Sequence, residues 1–246
     1  MASFDEIYAI TEKHRQVFGS DYVAMFIGED PRIVAAREKV RAIERMLPGT
    51  RPPPLLISGE PGTGKISLVS LFRHVGPRRD RGMADGTWWT VAGYFRSMPR
   101  GTVLINWIER APAGLQTQLL EAVRDPTLAW MIATTEVDLA LEVQAGRFDR
   151  ALEEVLSASS IHLPPLRTRG SDVILLAEYI FASWCIHDER EPNAVRLLPD
   201  AFDALLRHPW PGNVAEVRGV LWKAASLGGH VIRAADLSLG PENVGM

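Results

Sequence analysis

The feature that most constrains the fold of this chain is the segment Gly59-Glu-Pro-Gly-Thr-Gly-Lys65. It has the spacing G-x-x-x-x-G-K and lies between a short apolar run, Leu55–Ile57, and a stretch with helical apolar spacing. Glycines in such a loop let successive backbone N–H groups converge on one point, and the lysine adds a compact positive charge. The order strand, loop, helix therefore predicts a phosphate-binding loop, and a chance glycine-rich turn is the alternative.

Short apolar runs and helical patterns alternate along the first two thirds of the chain. Buried strands are predicted at Leu55–Ile57, Val103–Ile105 and Trp130–Ala133. Helices are predicted at about 31–46, 65–75, 113–123 and 138–145. Because the strands alternate with helices, we expect an α/β fold in which helices cover both faces of a parallel sheet.

The pattern becomes almost entirely helical after Pro164-Pro165. Helices are predicted at 171–187, 199–207 and 212–228, with a hint of a strand near Val231–Ile232. We therefore divide the chain into three parts. They are an N-terminal helical segment (1–25), an α/β nucleotide-binding domain (26–168) and a small helical domain (169–246).

Composition narrows the classes of partner. The chain has 246 residues and a formal net charge of −3, so nothing global attracts it to nucleic acid, and no direct DNA binding is expected. The lone cysteine, Cys185, is interpreted as a small buried hydrophobe in a cytoplasmic protein, and the scattered histidines predict no metal site. No apolar run is long enough to cross a membrane. We expect the basic cluster Arg73–Arg81 to be a solvated loop, Trp184 and Trp222 to be packing residues, and Trp88-Trp89 to pack or to bind a partner.

Several further motifs follow one another in a fixed order. They are Phe26-Ile-Gly-Glu-Asp-Pro31, Gly101-Thr-Val-Leu-Ile-Asn-Trp-Ile108, Leu115-Gln-Thr-Gln-Leu-Leu120, Ile132-Ala-Thr-Thr135, Ala145-Gly-Arg-Phe148, Ile161-His-Leu-Pro-Pro-Leu-Arg167 and Trp210-Pro-Gly-Asn-Val214. With the glycine loop, they resemble the AAA+ sigma-54 interaction domain of bacterial enhancer-binding proteins over nearly the whole chain. The resemblance implies a P-loop NTPase-like sheet sandwiched by helices and followed by a helical lid. It also implies that ATP or ADP is held by Gly59, Glu60, Pro61, Gly62, Thr63, Gly64, Lys65 and Ile66.

The chain differs from the family at the positions that catalyse ATP hydrolysis. The family's Asp–Glu pair, in which Asp holds magnesium and Glu polarises the attacking water, is replaced by Asn106 and Trp107. An amide brings no negative charge to a metal, and an indole cannot act as a general base. Ile66 follows the lysine and offers no ligand, so magnesium binding is expected to be weak or absent. Glu109 lies nearby in sequence and is kept as an alternative base.

Four more positions implied by the resemblance are also changed. The polar sensor after the Ala-Thr-Thr strand is Glu136, which would repel a γ-phosphate that it faces and so favour ADP or an empty site. The arginine fingers correspond to Asp149 and Val155, with Arg147 and Arg150 nearby, and the lid arginine corresponds to Ala215, with Arg218 one turn further on. No catalytic residue is therefore expected.

No GAFTGA-like loop, which the family uses to contact sigma-54, is present between Lys65 and Gly101, and no helix-turn-helix is expected. Four functions remain open. They are a non-hydrolysing regulatory or scaffolding module, an interaction module with a relic loop, a weak ATPase that uses Glu109 or Glu136, and a sigma-54-dependent regulator or anti-activator. A protein partner is expected in the regulatory cases, either in a homo-oligomer or with a related AAA+ protein.

Overall fold

The computed structural model of the chain describes residues 26–47, 50–72, 83–85, 93, 95, 97–98, 100–187, 195–228 and 231–240. These residues form two compact units. The sheet unit consists of Ala35–Glu60 and the described part of Lys65–Leu163. The helical unit consists of the described residues up to Val34, the loop tip Pro61–Gly64 and the described residues from Pro164 onward. The functional division at 168/169 stays a prediction.

The sheet unit contains five parallel strands. They are β1 (Leu55–Ser58), β2 (Met83–Asp85), β3 (Thr102–Ile105), β4 (Trp130–Thr135) and β5 (Ser160–His162), in the order β2-β3-β4-β1-β5. In β3 and β4 every residue is buried, which explains their largely apolar sequences. Ser58 at the end of β1 pairs with Thr135 at the end of β4, so the segments that follow these two strands leave the sheet side by side.

Among the described residues, five helices with complete bounds belong wholly or partly to the sheet unit. They are α1 (Pro31–Glu44), α2 (Lys65–Leu71), α3 (Ala113–Arg124), α4 (Leu139–Gln144) and α5 (Arg150–Ser157), and a 3-10 turn spans Ile108–Arg110. Helix α3 lays Leu119, Ala122 and Val123 on the apolar core, where Leu152 and Leu156 of α5 also pack. The guanidinium of Arg51 donates to three carbonyl oxygens at the end of α3, those of Ala122, Val123 and Asp125, and to the carbonyl oxygen of Ala129 just before β4. It thereby satisfies acceptors that a helix end leaves unpaired.

The helical unit has its own apolar core. Its elements are α6 (Asp172–His187), β6 (Arg196–Leu197), α7 (Pro199–Arg207), α8 (Asn213–Gly228) and β7 (Val231–Ile232), and the two short strands pair in parallel. Cys185, Trp184 and Leu221 are among the residues buried in this core. The buried carboxylate of Asp172 accepts from Arg169 Nε at 2.9 Å and from the Glu29 N–H at 2.7 Å, which ties the segment before α1 to the start of α6.

The predicted fold class is confirmed. The three predicted strands are present, and the strand near Val231–Ile232 pairs with an unpredicted one at Arg196–Leu197. The structure adds β2, β5 and α5 to the predicted elements. Cys185 and Trp184 are buried as expected, and Trp222 is a partly buried packing residue. The expectations for 1–25, the cluster Arg73–Arg81 and Trp88-Trp89 lie outside the described residues. None of the described helices is both long and apolar enough to span a membrane.

Candidate functional site

The glycine loop that joins β1 to α2 is built from backbone conformations that favour glycine. Gly59, Gly62 and Gly64 have φ of 152°, 77° and 104°. The Gly59 N–H donates to the carbonyl oxygen of Thr135 at 3.3 Å, which fixes the start of the loop against the end of β4. A Cβ on Gly62 would lie 2.2 Å from the carbonyl oxygen of Gly212. The sequence therefore needs glycine at the loop tip for both conformation and space.

Lys65 begins helix α2 with its side chain almost completely buried, at 8% exposure. Its Nζ donates to the carbonyl oxygens of Gly59 at 2.7 Å and Glu60 at 2.9 Å, and to Glu136 Oε1 at 3.4 Å. An ammonium group has three N–H donors, so these three acceptors account for all of them. The chain itself thus supplies both the neutral ligands and the counter-charge of the loop lysine.

Two carboxylates lie within electrostatic range of Lys65. Burial lowers the pKa of Lys65, and the negative charges of Glu136 and, more weakly, Glu109 oppose that change. Glu109 lies in the 3-10 turn after β3, and its buried Oε2 has no hydrogen-bond partner among the described residues. The structure therefore brings together Lys65, the sensor position Glu136 and the carboxylate that sequence analysis kept only as an alternative.

Asn106 and Trp107, at the positions of the family's acidic pair, make local contacts with neighbouring side chains. Asn106 Oδ1 accepts a hydrogen bond from the hydroxyl of Thr134 at 3.0 Å. The Trp107 N–H donates to the same hydroxyl at 3.3 Å, and the Trp107 backbone is left-handed with φ 53°. The guanidinium of Arg110 lies 5.3 Å from the centre of the indole ring. Asn106 is thus part of the packing between the ends of two strands, and Trp107 is a partly buried aromatic surface with a cation over it.

Both positions that correspond to arginine fingers have structural contacts. Asp149 caps helix α5, since its Oδ1 accepts from the Leu152 N–H at 2.8 Å, and its own N–H donates to Gln116 Oε1 at 2.6 Å. Val155 is partly buried against the core of the sheet unit. Arg147, one of the two arginines that flank Asp149, donates two hydrogen bonds to the carboxylate of Glu142 at 2.6 and 2.8 Å.

The start of helix α8 contacts the loop tip within the helical unit. The Ala215 N–H donates to the Gly62 carbonyl at 3.2 Å, and Asn213 Nδ2 donates to the Pro61 carbonyl at 2.9 Å. The side chain of Ala215 is exposed. Arg218, one turn further on, lies with its guanidinium 5.8 Å from the Trp222 ring. The lid-arginine position therefore contributes a backbone contact and no charge.

The residues present fit a phosphate group better than they fit a metal ion. Glycines with positive φ followed by a lysine are the features that a phosphate-binding loop needs. Magnesium prefers carboxylate oxygens, whereas the aligned positions hold Asn106 and Ile66. Within the described ranges, no three side chains of His, Cys, Asp or Glu are grouped as for a metal ion.

Two protein families match this chain, one over the sheet region and one over the helical region. Residues 27–166, more than half of the chain, match the family described as Sigma-54 interaction domain. The chain belongs to this family. Residues 167–242 match the AAA+ ATPase lid domain, so the chain carries the AAA+ sigma-54 activator-like module with its nucleotide-binding fold.

Curated relatives of this sigma-54 interaction domain include regulatory proteins of Pseudomonas aeruginosa. The response regulator protein FleR is 33% identical over 224 residues, covering 75% of this chain and 46% of the relative. The alginate biosynthesis transcriptional regulatory protein AlgB is 30% identical over 229 residues, covering 88% and 49%. The chain therefore spans about half the length of these relatives.

Solved structures agree on the fold of the sigma-54 interaction domain. NtrX from Brucella abortus in complex with ATP superposes with a TM-score of 0.73 at 17% identity, covering 86% of this chain and 53% of that chain. The same protein in complex with ADP gives 0.72 at 17% identity, covering 86% and 54%. These likenesses establish the AAA+ P-loop fold.

Sequence reasoning missed two features of the site. The first is the capping role of Asp149, whose signal was an Asp three residues before Leu152 with Val155 and Leu156 at helical spacing. The second is the proximity of Glu109 to Lys65. Its only sequence signal was a carboxylate soon after a buried strand, because the turn Ile108–Arg110 that carries it has no distinctive pattern.

Proposed function

We propose that this chain is a nucleotide-binding AAA+ module that holds ATP or ADP through Gly59–Ile66, does not hydrolyse it, and acts by contact with another protein. The observation that supports this is the contrast within one site. The loop keeps its glycine conformations and its buried Lys65, whereas the acidic pair is Asn106 and Trp107. Phosphate binding needs the glycines and the lysine, and cleavage of the phosphate bond also needs the acidic pair.

The absence of hydrolysis is argued from several changes together. Removing one charge that stabilises a transition state costs on the order of a thousandfold in rate. Here a base is replaced by Trp107, and a finger position is Asp149, which caps a helix. Because the base and the charge-stabilising arginine are replaced together, we expect no turnover above background. Magnesium is expected to add little to binding, because neither Ile66 nor Asn106 supplies an anionic oxygen.

Nucleotide binding is tested by thermal unfolding with ADP and with ATP. A ligand at a hundredfold excess over its Kd stabilises the folded state by about 2.7 kcal/mol, which corresponds to a rise of roughly 5–10 °C in Tm for a chain of this size. We expect Lys65→Ala to abolish that rise, and Lys223→Ala, which removes an exposed lysine, to keep it. If millimolar ADP and ATP both leave the Tm unchanged, the loop is a relic and the chain is an interaction module alone.

Hydrolysis is tested by phosphate release from ATP. The weak-ATPase alternative rests on Glu109, whose buried Oε2 lies within electrostatic range of Lys65. We expect no release above background in the unaltered chain. Steady release that disappears in both Lys65→Ala and Glu109→Gln would establish the alternative and make Glu109 the base.

The second candidate function is that of a sigma-54-dependent transcription regulator or anti-activator. It is favoured by a relative, AlgB, that is itself named as a transcriptional regulatory protein. The expected partner is then a related AAA+ protein or further copies of this chain, and the expected place of action is the cytoplasm without direct DNA contact. Copurification with sigma-54 or with a full-length activator would support this candidate. Retention of neither by the tagged chain would exclude it.

A further inference from the structure

We infer that Glu136 makes the loop selective for a nucleoside diphosphate over a triphosphate, by acting as a built-in counter-ion of Lys65. This inference rests on the proposed binding of nucleotide by the loop. It adds which nucleotide is preferred and which residue decides the preference.

The position of Glu136 follows from the sheet. Strands β1 and β4 are parallel neighbours, with Ser58 beside Thr135 in register. The loop that leads to Lys65 leaves the end of β1, and Glu136 is the first residue after β4. The turn that carries Glu136 is held by the Thr135 hydroxyl, which accepts from the Val137 N–H at 3.2 Å. The carboxylate is therefore placed by the sheet beside the loop.

The contact itself uses the donor that a terminal phosphate would need. Lys65 Nζ has two close acceptors in the loop backbone, at 2.7 and 2.9 Å, and its third donor faces Glu136 Oε1 at 3.4 Å. In a phosphate loop the lysine faces the β- and γ-phosphates. A γ-phosphate on Nζ would share this ammonium with the carboxylate and bring two negative groups close together.

Burial makes that proximity costly. The side chains of Lys65 and Glu136 are 8% and 20% exposed, so water screens their charges less than at the surface. Glu109 adds a second negative charge within range of the same ammonium. A diphosphate lacks the γ-phosphate that would meet these carboxylates, so its β-phosphate can be held by the backbone N–H groups of the loop and by the positive charge of Lys65 with less repulsion.

Isothermal titration of the full chain with ADP and with ATP, both in EDTA, tests the inference. We expect the unaltered chain to bind ADP at least about tenfold more tightly than ATP, the ratio produced by a modest charge repulsion. Glu136→Gln is expected to reduce the preference for ADP over ATP to below about threefold by tightening the binding of ATP. The reason is that the amide keeps the size of the side chain and removes its charge. Glu136→Asn provides a second variant if the glutamine chain fails to fold, as judged by circular dichroism.

Two controls locate the effect. Glu109→Gln should narrow the ratio less than Glu136→Gln, because Glu109 acts on Lys65 without a hydrogen bond to it. Glu121→Gln removes an exposed carboxylate of α3 and should leave the ratio unchanged. Equal affinities for ADP and ATP in the unaltered chain, or an unchanged ratio in both Glu136 variants, would overturn the inference and leave the proposed binding standing. Binding of neither nucleotide by any variant would overturn both.

Discussion

Several charged side chains of the described residues are buried together with specific partners. Lys65 is surrounded by two carbonyl oxygens and a carboxylate, and Arg51 donates to four carbonyl oxygens between the last turn of α3 and the start of β4. Arg169 and Asp172 form an ion pair in which each side chain is 2% exposed. A buried charge is tolerated when its hydrogen-bonding capacity is met, and removal of one partner leaves the other uncompensated.

The Arg169–Asp172 pair gives a prediction at the scale of single residues. We expect Asp172→Ala to lower the free energy of unfolding by about 3–5 kcal/mol, because Arg169 loses its counter-charge inside the protein. Urea unfolding followed by circular dichroism measures the change. The matched control is Asp203→Ala, which removes a carboxylate from the exposed pair with Arg207 and should cost less than about 1 kcal/mol. Similar losses in the two variants would contradict this account of the buried pair.

At the scale of helices and loops, the former finger position acts as a helix cap. We predict that Asp149→Arg lowers the free energy of unfolding by about 1–2 kcal/mol, since α5 loses the acceptor of the Leu152 N–H and gains a cation at its positive end. Asp149→Asn keeps an acceptor and should change the free energy by only a few tenths of a kcal/mol. Thermal unfolding of the two variants separates these effects. Equal stability of the two would show that the cap contributes nothing.

The loop tip gives a second prediction at this scale. Gly62→Ala places a Cβ where the structure leaves 2.2 Å to the Gly212 carbonyl, in a backbone with φ 77°. Gly170→Ala also requires a left-handed alanine, at φ 56°, but meets nothing within 4 Å. The left-handed conformation alone costs about 1–2 kcal/mol, so Gly62→Ala should be the more destabilising of the two. Chemical unfolding compares them, and a smaller loss for Gly62→Ala would contradict the close approach.

Much of the fold could be predicted from sequence because strands such as β3 and β4 are buried throughout and so contain runs of apolar residues. Strand β5 was missed because only Ile161 is buried among its three residues. The functional site was also predictable only in part. The sequence pattern of the glycine loop predicts the loop, whereas the contact between Lys65 and Glu136 depends on strand order, which no local pattern reveals.

At the scale of the whole molecule, the changes concern chemistry much more than architecture. The chain has two apolar cores and a five-stranded parallel sheet, and it matches the family of the sigma-54 interaction domain. The altered positions instead serve local packing, with Asn106 bonded to Thr134 and Asp149 capping α5. The causes of the proposed lack of hydrolysis are therefore distributed over several positions.

This distribution predicts that a simple reversion fails. The double variant Asn106→Asp/Trp107→Glu restores the residue types of the acidic pair, but Glu136 and Asp149 keep their negative charges. We expect it to fold and to release no phosphate from ATP above background, because the charge-stabilising groups are still missing. Phosphate release measured over hours is the readout. Turnover in the double variant would show that the acidic pair alone was limiting.

The complete pairing of Lys65 has a consequence for how a ligand would be received. A loop lysine that already has three acceptors needs no dissolved anion to stay inside the protein. Its rotamer is fixed in advance, so association costs little side-chain entropy at this position. The empty and occupied states of the loop should consequently differ little in order, and the difference between them lies in which anion faces the ammonium.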